Sequence, residues 1–222
     1  MVLQTAESYK CFMLLSKNQT ILMIGDSVTD CNRRDENTAF LGNSYPHLVA
    51  SELYLAYPDM NIKVLNKGIS GDTSKMLIDR WQEDVLDNKP DILTILIGIN
   101  DVWRHYDCPD PSKRVSKADY IKNMRYMIES LIHTAKKIIV LSPFYLENDM
   151  SKPMKAQATE YIDALRVLVK EYDVVFVDLQ KEFEKLMKKY SAEQLSFKSD
   201  KIHPTMFGQY VIAKSILNVL LK

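Results

Sequence analysis

The sequence predicts an α/β fold, a parallel sheet with helices on both faces, and three observations carry that prediction. Strand-like and helix-like segments alternate five times along the 222 residues, with no internal repeat and no low-complexity tract, the pattern of a parallel sheet joined by crossover helices. Two segments, Thr20 to Gly25 and Asp91 to Gly98, are apolar runs closed by glycine, the signature of strands buried on both faces. Glycine is scarce, six in all, where average usage of about 7% would give roughly 15. Yet Gly25, Gly68, Gly71 and Gly98 directly follow the first three predicted strands, which places them at one edge of a parallel sheet.

Residues 1–19 carry no clear period and are expected to form an N-terminal arm. The first strand, Thr20 to Gly25, leads into Asp26 and Ser27, and the polar stretch Asp30 to Asn43 reads as a loop. Leu48, Val49, Leu53 and Ala56 space a helix over Tyr45 to Tyr57, stopped by Pro58. Asn61 to Asn66 is a short strand followed by a loop from Lys67 to Asp72. Thr73 or Ser74 caps a second helix through Trp81 and Leu86, ended by Pro90. After the strand ending at Gly98, a longer loop is expected to carry Trp103, His105 and Tyr106. Helices then follow over Lys117 to Thr134 and Pro153 to Glu171, with strands at Lys137 to Ser142 and Asp173 to Asp178. A charged helix runs to about Lys189, and Pro204 opens the closing helix in the place proline favours. Nothing resembles a linker, so residues 1–222 are read as a single domain.

Lysine plus arginine equals aspartate plus glutamate, 29 each, so no chain-wide field draws the protein to nucleic acid or an anionic membrane. The clusters Lys113-Arg114 with Lys117, and Lys188-Lys189, read as solvated faces. Cys11, Cys31 and Cys108 are odd in number and far apart, which suggests neither a zinc site nor a disulfide framework. The apolar patch Cys11 to Leu15 is shorter than a signal core and lacks a basic stretch before it. A cytoplasmic protein in a reducing compartment is the expectation.

Ser27, at the carboxyl end of a buried strand, sits where open α/β sheets place their chemistry. A nucleophilic serine needs a base, and the base an orienter. Of four histidines, His47 and His133 fall inside predicted helices. His105 lies on the same sheet edge as Ser27 and competes, but His203 has Asp200 three residues before it, a spacing that can aim a carboxylate at Nδ1. Ester cleavage also needs donors for the oxyanion, and the backbone N–H groups of Ser27 and Gly68 and the Asn100 side chain are the candidates. Trp103, Tyr106, Phe144 and Tyr145 are aromatic groups that can stack on sugar rings or simply pack their loops.

Gly25-Asp26-Ser27, Gly68 within Asn66-Lys67-Gly68-Ile69-Ser70-Gly71, Gly98-Ile99-Asn100-Asp101, and Asp200 with His203-Pro204 resemble, in order, the four blocks of the SGNH (GDSL) hydrolase superfamily. Within it, Val102-Trp103-Arg104 and Tyr106-Asp107 are similar to the intracellular acetylxylan esterases of Gram-positive bacteria. The resemblance implies a flavodoxin-like three-layer α/β/α sandwich with a five-stranded parallel sheet. It implies Ser27 as nucleophile, His203 as base, Asp200 as orienter, and an oxyanion hole of Ser27, Gly68 and Asn100. Asp26, Trp103, His105, Tyr106 and Tyr145 are the expected substrate-contacting residues, His105 standing where the pattern has glutamine. The implied activity is hydrolysis of small acyl esters, acetyl above all, on carbohydrates such as xylo-oligosaccharides. The expectation includes no metal or cofactor and a homo-oligomer. The alternatives are a thioesterase or lysophospholipase using the same residues, and a catalytically silent carbohydrate-binding protein.

Overall fold

The structure, a computed structural model, describes residues 14–197 and 200–222. Most of the expected arm, with Cys11, lies outside the described residues. The chain runs through β1 (Thr20–Gly25), α1 (Ser27–Asp30), α2 (Tyr45–Ala56), β2 (Lys63–Gly68), α3 (Ser74–Asp79), β3 (Ile92–Leu96) and α4 (Ile99–Asp107). It continues through α5 (Lys117–Glu129), β4 (Lys137–Leu141), α6 (Pro153–Leu168), β5 (Val175–Val177), α7 (Leu179–Leu186), α8 (Ala192–Leu195) and α9 (Met206–Leu220).

All four strand pairings are parallel, and the order is β2-β1-β3-β4-β5. Because side chains alternate along a strand, each strand feeds two cores. Ile21 and Met23 of β1, with Ile139 and Leu141 of β4, face α2, α7 and α9. Leu22 and Ile24, with Ile138 and Val140, face α3, α5 and α6. The apolar runs therefore belong to strands covered on both sides, giving the three-layer α/β/α arrangement.

Register sets the site. Gly25 at the end of β1 lies level with Gly68 of β2 and Leu96 of β3, so the chain leaves all three strands at one place.

The segment after β3 differs from expectation. Ile99 to Asp107 is helix α4, not a loop. Gly98 adopts φ +131°, open to glycine but strained for other residues, and turns the strand directly into the helix. Ile99, Asn100, Asp101 and Val102 are buried along its first turn, while Arg104 and His105 in the last turn suit the negative end of the helix dipole. The mix of aromatic and polar side chains hides this helix from a simple periodicity reading. Ser27–Asp30 also forms a helical turn, α5 stops at Glu129 before the predicted end, and β5 is shorter than expected at both ends. Among the described residues no helix is long and apolar enough to cross a membrane.

Candidate active site

Asp26 follows β1 and caps α1, its Oδ1 accepting the Val28 N–H at 3.0 Å. Ser27 is the first residue of that turn, and its own N–H makes no hydrogen bond to another described residue. Its hydroxyl lies 2.8 Å from His203 Nε2.

His203 Nδ1 lies 2.9 Å from Asp200 Oδ2. Burial pushes the Asp200 carboxyl upward, but hydrogen bonds from His203 and the Ile202 N–H outweigh it, leaving its pKa below the usual carboxylate value. An ionised carboxylate only accepts, so Nδ1 carries the proton and Nε2 is free to accept from Ser27. The Asp200 Oδ1 oxygen takes the backbone N–H groups of Ile202 and His203 at 2.7 and 2.9 Å. The same carboxylate thus folds the turn and orients the ring. The loop after β4 fixes this turn in space: Leu146 N–H donates to the Lys201 carbonyl at 3.0 Å, and Lys201 pairs with Glu147 at 2.7 Å.

Asn100 is buried at the start of α4 and donates one side-chain N–H to the Asp72 carbonyl at 2.9 Å. A side-chain amide has two N–H donors, so one remains. Gly68 departs from expectation: its N–H donates to Asn66 Oδ1 at 2.9 Å and is not free. Gly68 is needed for packing, since a Cβ there would lie 2.3 Å from the Asp30 nitrogen and 2.7 Å from the Thr29 carbonyl carbon. The unspent donor in this loop is Gly71. It has φ +89°, makes no backbone hydrogen bond through its N–H among the described residues, and precedes the Asp72 carbonyl that holds Asn100.

Three positioning residues have no role in the motif reading, Asn66 although it opens the second block. Asn66 spends its side-chain N–H groups on the Thr29 and Leu41 carbonyls at 2.7 and 2.8 Å, fastening α1 to β2. Arg80 reaches from beyond α3 to the Gly25 carbonyl at 3.2 Å, the Lys67 carbonyl at 2.8 Å and the Asp72 carboxylate at 2.7 Å. One guanidinium therefore ties together the ends of β1 and β2 and the turn beyond Gly71. Gln209 of α9 bridges the Tyr45 N–H and the Val28 carbonyl at 3.1 and 3.2 Å. None of these has a short-range pattern; Asn66 stands closest to one, two residues before Gly68.

The remaining expected residues divide. Trp103, one helical turn beyond Asn100, sets its ring edge-on to His203 at 6.1 Å between centroids. Phe197, absent from the sequence reading, lies on another side of that imidazole at 6.5 Å and is 54% exposed. His105 turns away, Nε2 lying 3.1 Å from the Val115 carbonyl. Phe144 packs on Phe183 in the core at 4.6 Å and offers no surface to a sugar. Asp26 is 1% exposed and acts as a helix cap rather than a ligand contact. Tyr106 is exposed and Tyr145 half-buried. Among the described residues no three His, Cys, Asp or Glu side chains cluster as a metal site. A serine hydroxyl on an oriented imidazole, beside unspent N–H donors, is equipped for acyl transfer through a tetrahedral oxyanion.

The family described as GDSL-like Lipase/Acylhydrolase matches this chain over residues 23–211. The acetylxylan esterase of Geobacillus stearothermophilus is 36% identical over 210 residues, covering 92% of this chain and 95% of the relative. The crystal structure of Axe2, an acetylxylan esterase from that organism, matches with TM-score 0.87 and 35% identity, over 94% of this chain and 96% of the other. LAE5, an alpha/beta hydrolase enzyme from the metagenome of Lake Arreo, matches with TM-score 0.86 and 32% identity, over 94% and 97%. Solved catalytic mutants of Axe2 replace a serine, an aspartate and a histidine, the last two spaced as Asp200 and His203 are here.

Proposed function

Since the chain belongs to the GDSL-like lipase/acylhydrolase family and is an esterase of that family, we propose that it removes acetyl groups from xylo-oligosaccharides, with Ser27 as the nucleophile. The observation that carries the chemistry is the continuous hydrogen-bonded chain from Ser27 Oγ through His203 to Asp200. The substrate class is supported by similarity to an acetylxylan esterase along nearly the whole chain.

Ser27 Oγ attacks the ester carbonyl as its proton passes to His203 Nε2. Asp200 holds the ring and stabilises the imidazolium. The oxyanion is met by the Ser27 N–H, the second Asn100 N–H and the Gly71 N–H, the last in place of Gly68. Collapse expels the sugar alkoxide, which takes the proton from His203 and leaves acetyl-Ser27. A water molecule, deprotonated by His203, attacks that ester, and collapse releases acetate and restores the serine.

An acyl-chain series on one alcohol tests the reading, followed by acetylated xylo-oligosaccharides against acetylated glucose. Acetyl esters and xylo-oligosaccharides are expected to give the highest kcat/KM. Faster cleavage of octanoyl esters would transfer the protein to the thioesterase or lysophospholipase reading, and binding of xylo-oligosaccharides without turnover to the silent one.

A further inference from the structure

Against the Gly71 turn the structure holds a cavity of about 570 Å³, within the size range of small-molecule sites. Gly71 and Arg104 both line it, and a Cβ built on Gly71 would stand 3.6 Å from Arg104 Nη2. Positions three and four apart share a helix face, so α4 presents Asn100, Trp103 and Arg104 together. Asn100 holds the turn of Gly71, Trp103 edges onto His203, and Arg104 walls the cavity. Gly71 thus belongs both to the donor turn and to the wall of this cavity, so an ester whose carbonyl oxygen rests on the Asn100 and Gly71 donors has the cavity adjoining it.

The cavity lining combines basic side chains with the apolar Met76 and Val115. It holds Lys75, Arg104 and Lys113 against the single carboxylate of Asp107. Arg104 is already ion-paired with Asp107 and lies over the Trp103 ring at 5.9 Å, which leaves Lys75 and Lys113. Both are exposed, and neither is ion-paired among the described residues, whereas Lys117 of the same basic stretch pairs with Glu160. Lys113, read from sequence as part of a solvated face, thus lines a concave site.

We propose that this cavity takes the sugar side of the ester and that Lys75 and Lys113 select an oligosaccharide carrying a carboxylate, a uronic acid, near the acetylated ring. The proposal rests on the carbohydrate esterase reading and adds a charge to its substrate. Two exposed lysines acting on one carboxylate are expected to give roughly a threefold to tenfold preference, weakened by salt.

The test compares kcat/KM for acetylated xylo-oligosaccharides with and without a glucuronic acid branch at low ionic strength, with p-nitrophenyl acetate and an acetylated sugar phosphate alongside. The uronate substrate is expected to lead by that factor, the lead to shrink toward one in high salt, and Lys75→Gln/Lys113→Gln to abolish it. The ratio is taken on one preparation of each protein, so partial loss of folded enzyme cancels. Equal or lower kcat/KM on the uronate, an unchanged ratio in the double variant, or a stronger preference for the phosphate overturns the proposal. Those results leave the esterase reading standing so long as the neutral acetylated oligosaccharide is cleaved; failure on that substrate and on p-nitrophenyl acetate removes the esterase reading itself.

Discussion

Asn100 Nδ2 donates to the backbone carbonyl of Asp72 at 2.9 Å, joining the first turn of α4 to the turn that carries Gly71. Asn100 thereby both offers a donor and fixes the loop that offers another. Asn100→Ala is expected to lower kcat by about 10²–10³ with a smaller change in KM, the usual effect of losing an oxyanion donor. Steady-state kinetics with p-nitrophenyl acetate decides the point. A loss of tenfold or less would reduce Asn100 to a residue that only holds its turn.

Ser27→Ala and His203→Ala are expected to lower kcat by about 10⁴-fold or more while the circular dichroism of the folded protein persists. Asp200→Asn is expected to lose less than Ser27→Ala, because an orienter is more replaceable than the nucleophile. His105→Ala is the informative control. Its imidazole contacts the Val115 carbonyl and not Ser27, so activity is expected to stay within a few-fold of the parent. Activity that survives His203→Ala but not His105→Ala would exchange the base.

The two glycines of the β2 loop separate packing from chemistry. Gly68→Ala drives a methyl group into the backbone of Thr29 and Asp30 and is expected to lower the melting temperature by several degrees, since α1 must shift. At Gly71 the nearest atom to an added Cβ is the flexible Arg104 guanidinium at 3.6 Å, and the cost is that of holding alanine at φ +89°. Gly71→Ala is therefore expected to lower kcat more than Gly68→Ala does, and Gly68→Ala to lower the melting temperature more than Gly71→Ala does. Thermal melts and kcat measured on both variants check this. Equal losses of kcat and of melting temperature in the two variants would overturn the assignment of the donor to Gly71.

What was legible in the sequence follows how locally each feature is encoded. The strands announce themselves because burial on both faces leaves unbroken apolar runs such as Ile21 to Ile24. Asp200 and His203 can be paired because a single turn joins them. Gly68 and Gly71 stand three residues apart, and the hydrogen bond from Gly68 to Asn66 and the backbone packed against Gly68 separate their roles; no spacing rule reveals which amide is already spent. Arg80 is harder still. Its partners, Gly25, Lys67 and Asp72, come from three segments that meet only once the sheet has formed. Helix α4 is not legible in the sequence because its buried face is partly polar, Asn100 and Asp101 sitting beside Ile99 and Val102.

Asp26 links the nucleophile turn to pH. Burial, only partly offset by the Val28 N–H and the nearby His203, with Asp101 and Asp72 adding repulsion, raises its pKa to about 7. In the folded protein Asp26 therefore binds a proton over a range, from near pH 4 to near pH 7, where the unfolded chain has lost it. The native state holds more protons there, so stability falls as pH rises through that window and levels off above it. Asp101, raised to about 6 by burial, adds a slope of the same sign. Asp26→Asn keeps an oxygen that can cap Val28 but carries no charge. Since a tenfold change in proton affinity is worth about 1.4 kcal/mol, the variant is expected to match the parent near pH 4 and to exceed it by roughly a few kcal/mol at pH 8. Denaturant melts of both proteins at pH 4, 6 and 8 measure this directly. A variant less stable than the parent at pH 8 would mean that the charged carboxylate stabilises the turn around Ser27 and that its burial carries no net cost.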